Sequence, residues 1–281
     1  MTRKQDRIEL FVVVKGHAFS RDGLEAMLRA IGCEPTFVDQ PAAAVLLNPE
    51  QMRRYDALLF YDMPGLDFRA PAAERPGFIA PPAHFIQGFE GLMAEGKGMV
   101  VLHHAIAGWP AWPRYAEAIG GQFLYRHAVI DGAPRADSGY LGDVAYAARI
   151  ADPEHSVTAG LPGRIDLVDE LYLQQVFDDP AIHPLLYLDD EVAPERFHSA
   201  RRAVQRLGDG EGEPWRPAPL NPLLAWAKPA GNSPLVYIQP GDSAQTYENP
   251  HYRQLVGNAV QWVASDEGRE WARQRSAQHT T

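Results

Sequence analysis

The stretch IELFVVVKGHAFSRDGLEAMLRAIGCEPTFVD, residues 8–39, contains one complete strand–helix–strand unit. Residues 8–14 are an apolar run rich in β-branched side chains, stopped at Lys15-Gly16-His17; they read as a strand buried on both faces. Between 22 and 32 the apolar residues Leu24, Met27, Leu28 and Ile31 recur at helical spacing, and Gly32 supplies a C-terminal stop. Residues 35–39 read as the second strand.

The same alternation continues outward. Residues 55–61 (YDALLFY) predict a strand. Residues 84–95 predict a helix with Phe85, Phe89, Leu92 and Met93 on one face, ended by Gly96. Residues 99–103 (MVVLH) predict a further strand and 115–119 a helix. Repeated strand–helix–strand units with short links imply a parallel sheet covered on both faces, with right-handed crossovers. The second half is less regular: 146–151, 185–188, 222–227 and 235–238 read as strands, and 252–263 as a closing amphipathic helix. Residues 189–221 are polar, Gly/Pro-punctuated and carry GDGEGEP, which predicts a surface excursion. No internal repeat or linker divides the chain, so one α/β domain is expected over 1–264, followed by a loose polar tail over 265–281.

Composition narrows the function classes. With 46% hydrophobic and 22% charged residues over 281, the chain is an ordinary globular one. A net charge of −10 disfavours a nucleic-acid footprint, which must be basic to displace phosphate counterions. The lone cysteine, Cys33, excludes an intramolecular disulfide and a cysteine zinc cage, and it falls at the amino edge of the sheet, where a structural role is expected. The apolar run near the N-terminus is too short for a signal sequence, and no stretch approaches the ~20 apolar residues of a membrane span. A cytoplasmic protein with no membrane partner is the expectation. No G-x-S-x-G, G-x-x-x-x-G-K-[ST] or G-x-G-x-x-G motif stands after a strand, so serine-hydrolase, P-loop and dinucleotide readings lack support.

In an open parallel sheet, ligands bind outside the carboxyl ends of the strands. The polar residues there are Gly16-His17, Asp62, His103-His104 and Gly241-Asp242. His103 and His104 are adjacent, so their side chains start toward opposite faces; the alternative to a functional role is an imidazole bonded to a backbone carbonyl. Asp169-Glu170 lies among Leu167, Val168 and Leu171, where burial would raise a carboxyl pKa toward general-acid range, although exposed acidic pairs are commoner. Trp109, Trp112 and Tyr115 follow the histidine pair as core aromatics or as a wall for the apolar face of a sugar ring.

Three blocks resemble, in order, the ThuA-like trehalose-utilisation family: GKGMVVLHHAIAGWPAWPRYAEAIGGQF (96–123), HSVTAGLPGRIDLVDELY (155–172) and YIQPGDSAQTYENPHYRQLVGNAVQWVA (237–264). With Gly16-His17 the resemblance covers nearly the whole chain. It implies a flavodoxin-like three-layer α/β/α sandwich similar to class I glutamine amidotransferases. The amidotransferase cysteine would fall where this chain has His103-His104-Ala105, so that thiol chemistry is absent. The resemblance implies a small-molecule carbohydrate as partner and acid/base chemistry on a disaccharide or glycoside. A 3-keto-glycoside fits: its ketone acidifies the C2 proton, permitting elimination of the C1 substituent and then hydration.

Carried over by position, His104 is the expected base, with His103 the lesser candidate, and Glu170 the expected acid, supported by Asp169 and Tyr172. His17 and Trp109, with Tyr115, would line the sugar pocket, and Tyr247 and Asn249 would close it. His127 lies near another family histidine position, in a differing context. Gly241-Asp242 stands where the family reads Gly-His, and His155-Ser156 where it reads His-Pro. His17, His104 and Asp242 are candidate ligands for a divalent metal ion. The rival readings are a non-catalytic sugar-binding or regulatory module, and an amide or ester hydrolase that activates water. A homo-oligomer is a further expectation that spacing does not decide.

Overall fold

The computed structural model describes residues 7–130, 132–208 and 211–278. Residues 1–6, 131, 209 and 210 of the polar excursion, and 279–281 of the tail lie outside them. The central sheet contains β1 (Ile8–Lys15), β2 (Cys33–Asp39), β3 (Ala57–Asp62), β4 (Gly98–Leu102), β5 (Gly139–Ile150), β6 (Arg164–Leu173), β7 (His183–Leu188), β8 (Leu223–Ala230) and β9 (Ser233–Ile238). Their order across the sheet is β6-β5-β7-β8-β9-β4-β3-β1-β2, and the short strand His198–Ser199 pairs beside β5.

From β2 to β9 every pairing is parallel, as the sequence pattern requires. Both faces of these strands are buried: Leu10, Val12 and Val14 belong to one apolar layer, and Phe11 and Val13 to the other. The first layer takes Leu24, Met27 and Leu28 of helix α1 (Arg21–Ala30); the second takes Phe85 and Phe89 of α2 (Ala83–Glu95) and Tyr115 of α3 (Pro113–Ile119). Helix α4 (Ala200–Gln205) lies beyond the sheet, and α5 (Pro250–Ala264) joins the first layer through Leu255, Val256 and Val260.

The mainly parallel sheet that the sequence predicts is found at the core, and in the other half β9, β8, β7, β5 and β6 pair antiparallel. The cause is local. Only Gly231 and Asn232 separate Ala230 from its partner Ser233, and a two-residue Gly-Asn link makes a hairpin rather than a crossover. The expected tail is corrected. Residues Asp266–Gln278 form helix α6, whose Ala272 is buried and whose Trp271 packs edge-on to Trp262 at 5.1 Å. A polar helix with one apolar stripe docks on the sheet without a hydrophobic run to announce it.

The excursion over 189–221 is only partly superficial. Ser199 and Ala200 are buried, and Asp137 anchors the segment, accepting from the Ser199 hydroxyl at 2.5 Å and the Arg201 amide at 3.1 Å. Strand β5 is bulged after Leu141, with Asp143 at φ 53°. Beyond Leu188, the last residue of β7, the outer halves of β5 and β6 continue as a two-stranded ribbon. It folds back over the carboxyl edge of the sheet, where the Tyr172 amide donates to Gln239 Oε1 at 3.1 Å.

Candidate functional site

The ends of β1, β3, β4 and β9 lie side by side, and the ribbon covers them. β1 ends in two left-handed residues, Lys15 (φ 93°) and Gly16 (φ 113°), which turn His17 toward the cleft. A Cβ on Gly16 would stand 2.7 Å from the Met63 carbonyl oxygen, so only glycine fits beneath that neighbour. His103 follows β4 with φ 44°, a conformation costly for a non-glycine residue and common where function holds it. Gly241, at φ 135° after β9, has no room for a Cβ against the Tyr252 hydroxyl.

His103 is fully buried and used on every side. Its Nδ1 lies 2.6 Å from the Gln239 carbonyl, Nε2 lies 3.1 Å from Glu170 Oε2, and the ring stacks on Tyr172 at 4.5 Å. A carbonyl only accepts, so Nδ1 carries a proton and the Nε2–Glu170 contact holds another. Burial opposes the charged ring, but the Glu170 hydrogen bond and charge, reinforced by Asp242 and Asp169, lift the His103 pKa to about 9. Burial likewise works against the Glu170 carboxylate, yet the bond to His103 outweighs it and holds Glu170 below the ordinary range.

Asp169 points to the other side of β6, as strand alternation requires. Its carboxylate accepts from the amides of Gly241 (2.5 Å), Asp242 (3.1 Å) and Ser243 (3.1 Å), and so fixes the loop carrying Asp242. Asp242 Oδ1 stands 3.6 Å from His103 Nε2. Its pKa is raised, first by burial and then by Glu170 and Asp169, with His103 pulling the other way. His104 packs between Tyr61 (4.3 Å) and His17 (4.9 Å), and burial with the charges of His103 and His17 pushes its pKa well down.

The sequence-predicted residues divide accordingly. His17, His103, His104, Glu170, Tyr172 and Asp242 converge, with Asp169 beneath them. Four others do not reach the cavity. Trp109 packs on Phe85 at 5.0 Å, and Tyr115 is buried with its hydroxyl donating to the Ala105 carbonyl. Tyr247 donates to the Tyr61 hydroxyl in the core, and Asn249 caps α5 by accepting from the amides of His251 and Tyr252. His127 is exposed, 4.0 Å from Asp137, and His155 accepts from the Val157 amide in a turn of its own. Cys33 is buried in β2 with its thiol pushed up to about 12 by burial, which fits a structural cysteine.

The cavity above the pair has a volume of about 310 Å³ and includes His17, Glu170 and Tyr172 in its walls. Sequence reasoning missed the rest of its lining: Met63, Phe68, Phe123, Tyr125 and Tyr140, and Ala200, Ala203 and Val204 of the excursion. The ribbon aromatics carry no motif, and α4 is too short for a periodic signal. A larger cavity of about 630 Å³ shares Phe123 and Tyr125 as walls and is lined by two ion pairs, Lys228–Asp179 at 3.1 Å and Arg114–Glu117 at 3.4 Å. Of the two, the smaller cavity is the one whose walls include Glu170 of the buried His103–Glu170 pair.

The family profile described as ThuA, trehalose utilisation, matches residues 11–263. The chain belongs to the ThuA family. Among solved structures it is similar to a ThuA-like protein from Bacteroides uniformis ATCC 8492, at 16% identity and TM-score 0.60 over 92% of each chain. A ThuA-like protein from Parabacteroides merdae ATCC 43184 gives 15% identity and TM-score 0.61, covering 92% of this chain and 90% of that one. PurLQS from Thermotoga maritima shares the fold at 10% identity and TM-score 0.52, over 91% and 99%. No curated protein sequence matches the chain. The fold of this ThuA-family chain is glutamine amidotransferase-like, with a sheet parallel at its core.

Proposed function

We propose that this ThuA-family protein cleaves a glycoside by acid/base chemistry, with a 3-keto-glycoside as substrate. The observation that supports this reading is the His103–Glu170 pair at 3.1 Å, whose carboxylate side lines an aromatic cavity while its imidazole side is sealed in the core. Such a pair takes up and holds a proton in a dry site.

The reaction follows from that arrangement. The sugar lies against Tyr172 and Tyr140, whose faces suit its C–H surface. Glu170 takes the C2 proton, made acidic by the neighbouring ketone, and the C2–H electron pair forms the C1=C2 bond as the C1–O bond breaks. The departing oxygen takes its proton from a water molecule in the cavity. The hydroxide left by that water then adds to C1 as Glu170 returns its proton to C2, for net hydrolysis. His103 acts through Glu170 as a positioning residue, keeping the carboxylate ionised and aimed. The expectation of His104 as base gives way here to Glu170, because His104 is almost sealed from solvent and does not line the cavity.

Release of the aglycone from a 3-keto-glucoside by purified protein tests the reading. Turnover that disappears in Glu170→Gln is the expected result. Saturable binding of the same sugar without any product would replace the enzyme by a sugar-binding module.

A further inference from the structure

His104 is 1% exposed, and neither of its ring nitrogens makes a hydrogen bond of good geometry with the described residues. A neutral imidazole has one N–H to donate and one lone pair to offer, and leaving both unmet in a dry interior is unfavourable. Its neighbours indicate what meets the lone pair. One ligating atom each of His17, His104 and Asp242 lie within 4.8 Å of one another. His17 Nδ1 sits 2.9 Å from the Ala18 carbonyl, so that nitrogen keeps the proton and Nε2 presents a lone pair. Anchoring one ring nitrogen on a carbonyl is how proteins orient a histidine toward a metal.

We infer that His17, His104 and Asp242 hold one divalent transition-metal ion of the zinc class, with its open positions toward the cavity. Two imidazoles and one carboxylate are a borderline donor set that suits such ions and leaves coordination places free. The surroundings are electrostatically ready for it: three carboxylates, from Asp169, Glu170 and Asp242, gather around the His103 imidazole. A second trio, His103, Glu170 and Asp242, is equally compact. It is the poorer cage, because both nitrogens of His103 are already committed to Gln239 and Glu170. Asp242 thus faces both groups, and Asp169 holds it there through the three amides of its loop. The metal site goes beyond the glycoside reading and is tested without any sugar.

The test is titration of chelator-treated, full-length protein with Co²⁺ and Zn²⁺, followed by calorimetry and by the visible absorption of bound Co²⁺. One ion per chain is expected. His17→Ala, His104→Ala and Asp242→Asn each weaken binding at least about tenfold, whereas Glu170→Gln keeps full stoichiometry. His17 is exposed, so its variant reports on binding even if the His104 variant misfolds. Absence of stoichiometric binding by the wild type would overturn the site. So would binding unchanged in both His17→Ala and Asp242→Asn, or binding lost in Glu170→Gln with His17→Ala intact.

Discussion

His103 Nε2 lies 3.1 Å from Glu170 Oε2, although His103 follows strand β4 and Glu170 lies on β6, with four strands, β9, β8, β7 and β5, between them. The contact exists because the β5–β6 ribbon runs past the rest of the sheet and folds back over the carboxyl edge. The Tyr172 amide on Gln239 and the Asp169 carboxylate on the Gly241 loop pin it there. The proton between His103 and Glu170 therefore depends on tertiary closure, and anything that loosens the ribbon separates the pair.

Replacing Glu170 by Gln keeps the shape but removes the charge facing His103. On the glycoside reading, kcat falls by about 10²–10⁴, the range of general acid–base contributions, while sugar affinity changes by only a few-fold. Single-turnover assays with the 3-keto-glucoside, paired with calorimetric binding, separate the two quantities. Retained turnover would remove Glu170 from the chemistry.

Asp169→Asn tests the anchor rather than the reaction. Its carboxylate accepts three amides, and hydrogen bonds to a charged group contribute more than neutral ones. An amide in its place turns an N–H toward those donors. Stability should drop by about 3 kcal/mol in urea unfolding, with faster hydrogen exchange at residues 241–243. Unfolding unchanged from wild type would show that the loop is held by something else.

Much of this assembly was legible in the sequence, and the rest has physical reasons for being hidden. The five parallel strands announce themselves because burial on both faces writes continuous apolar runs, as at Leu10–Val14. Strand-end position also singled out His17, His103 and Asp242, and adjacency on a strand correctly parted Asp169 from Glu170. The pairing of Glu170 with His103 rather than His104 was not readable, since it depends on how the ribbon closes. The resemblance places Trp109, Tyr115 and Tyr247 at the sugar, yet packing takes all three into the core, the alternative that helical spacing already offers for Trp109 and Tyr115. Ala203 and Val204 were unreadable as pocket residues because six helical residues in a polar segment carry no period.

Ala203 gives a direct probe of that segment. It is exposed at the mouth of the cavity, so Ala203→Trp should fold normally while its indole fills part of the roughly 310 Å³ space. A rise in KM of about tenfold or more is expected, about 1.4 kcal/mol of lost binding, with kcat less affected. Equal KM values for variant and wild type would mean that substrate enters elsewhere.

Asp62 offers a prediction for stability against pH. It ends β3 fully inside the protein, with Oδ2 accepting from Gln40 at 2.7 Å and Oδ1 unmatched among the described residues. Burial raises its pKa from 3.8 to about 7, against the weaker opposing pull of Gln40 and the backbone. Between those values the folded protein keeps the proton while the unfolded chain releases it, so unfolding is favoured increasingly as pH rises. The burden is absent below the unfolded pKa and complete above about 7, where it reaches on the order of 4 kcal/mol. Asp62→Asn stays neutral throughout and still accepts from Gln40. The stability of the variant relative to wild type should therefore climb from pH 4 to pH 8 by an amount of that order, read from paired urea titrations. A difference that stays level across the range would mean that the Asp62 carboxyl is ionised in the fold.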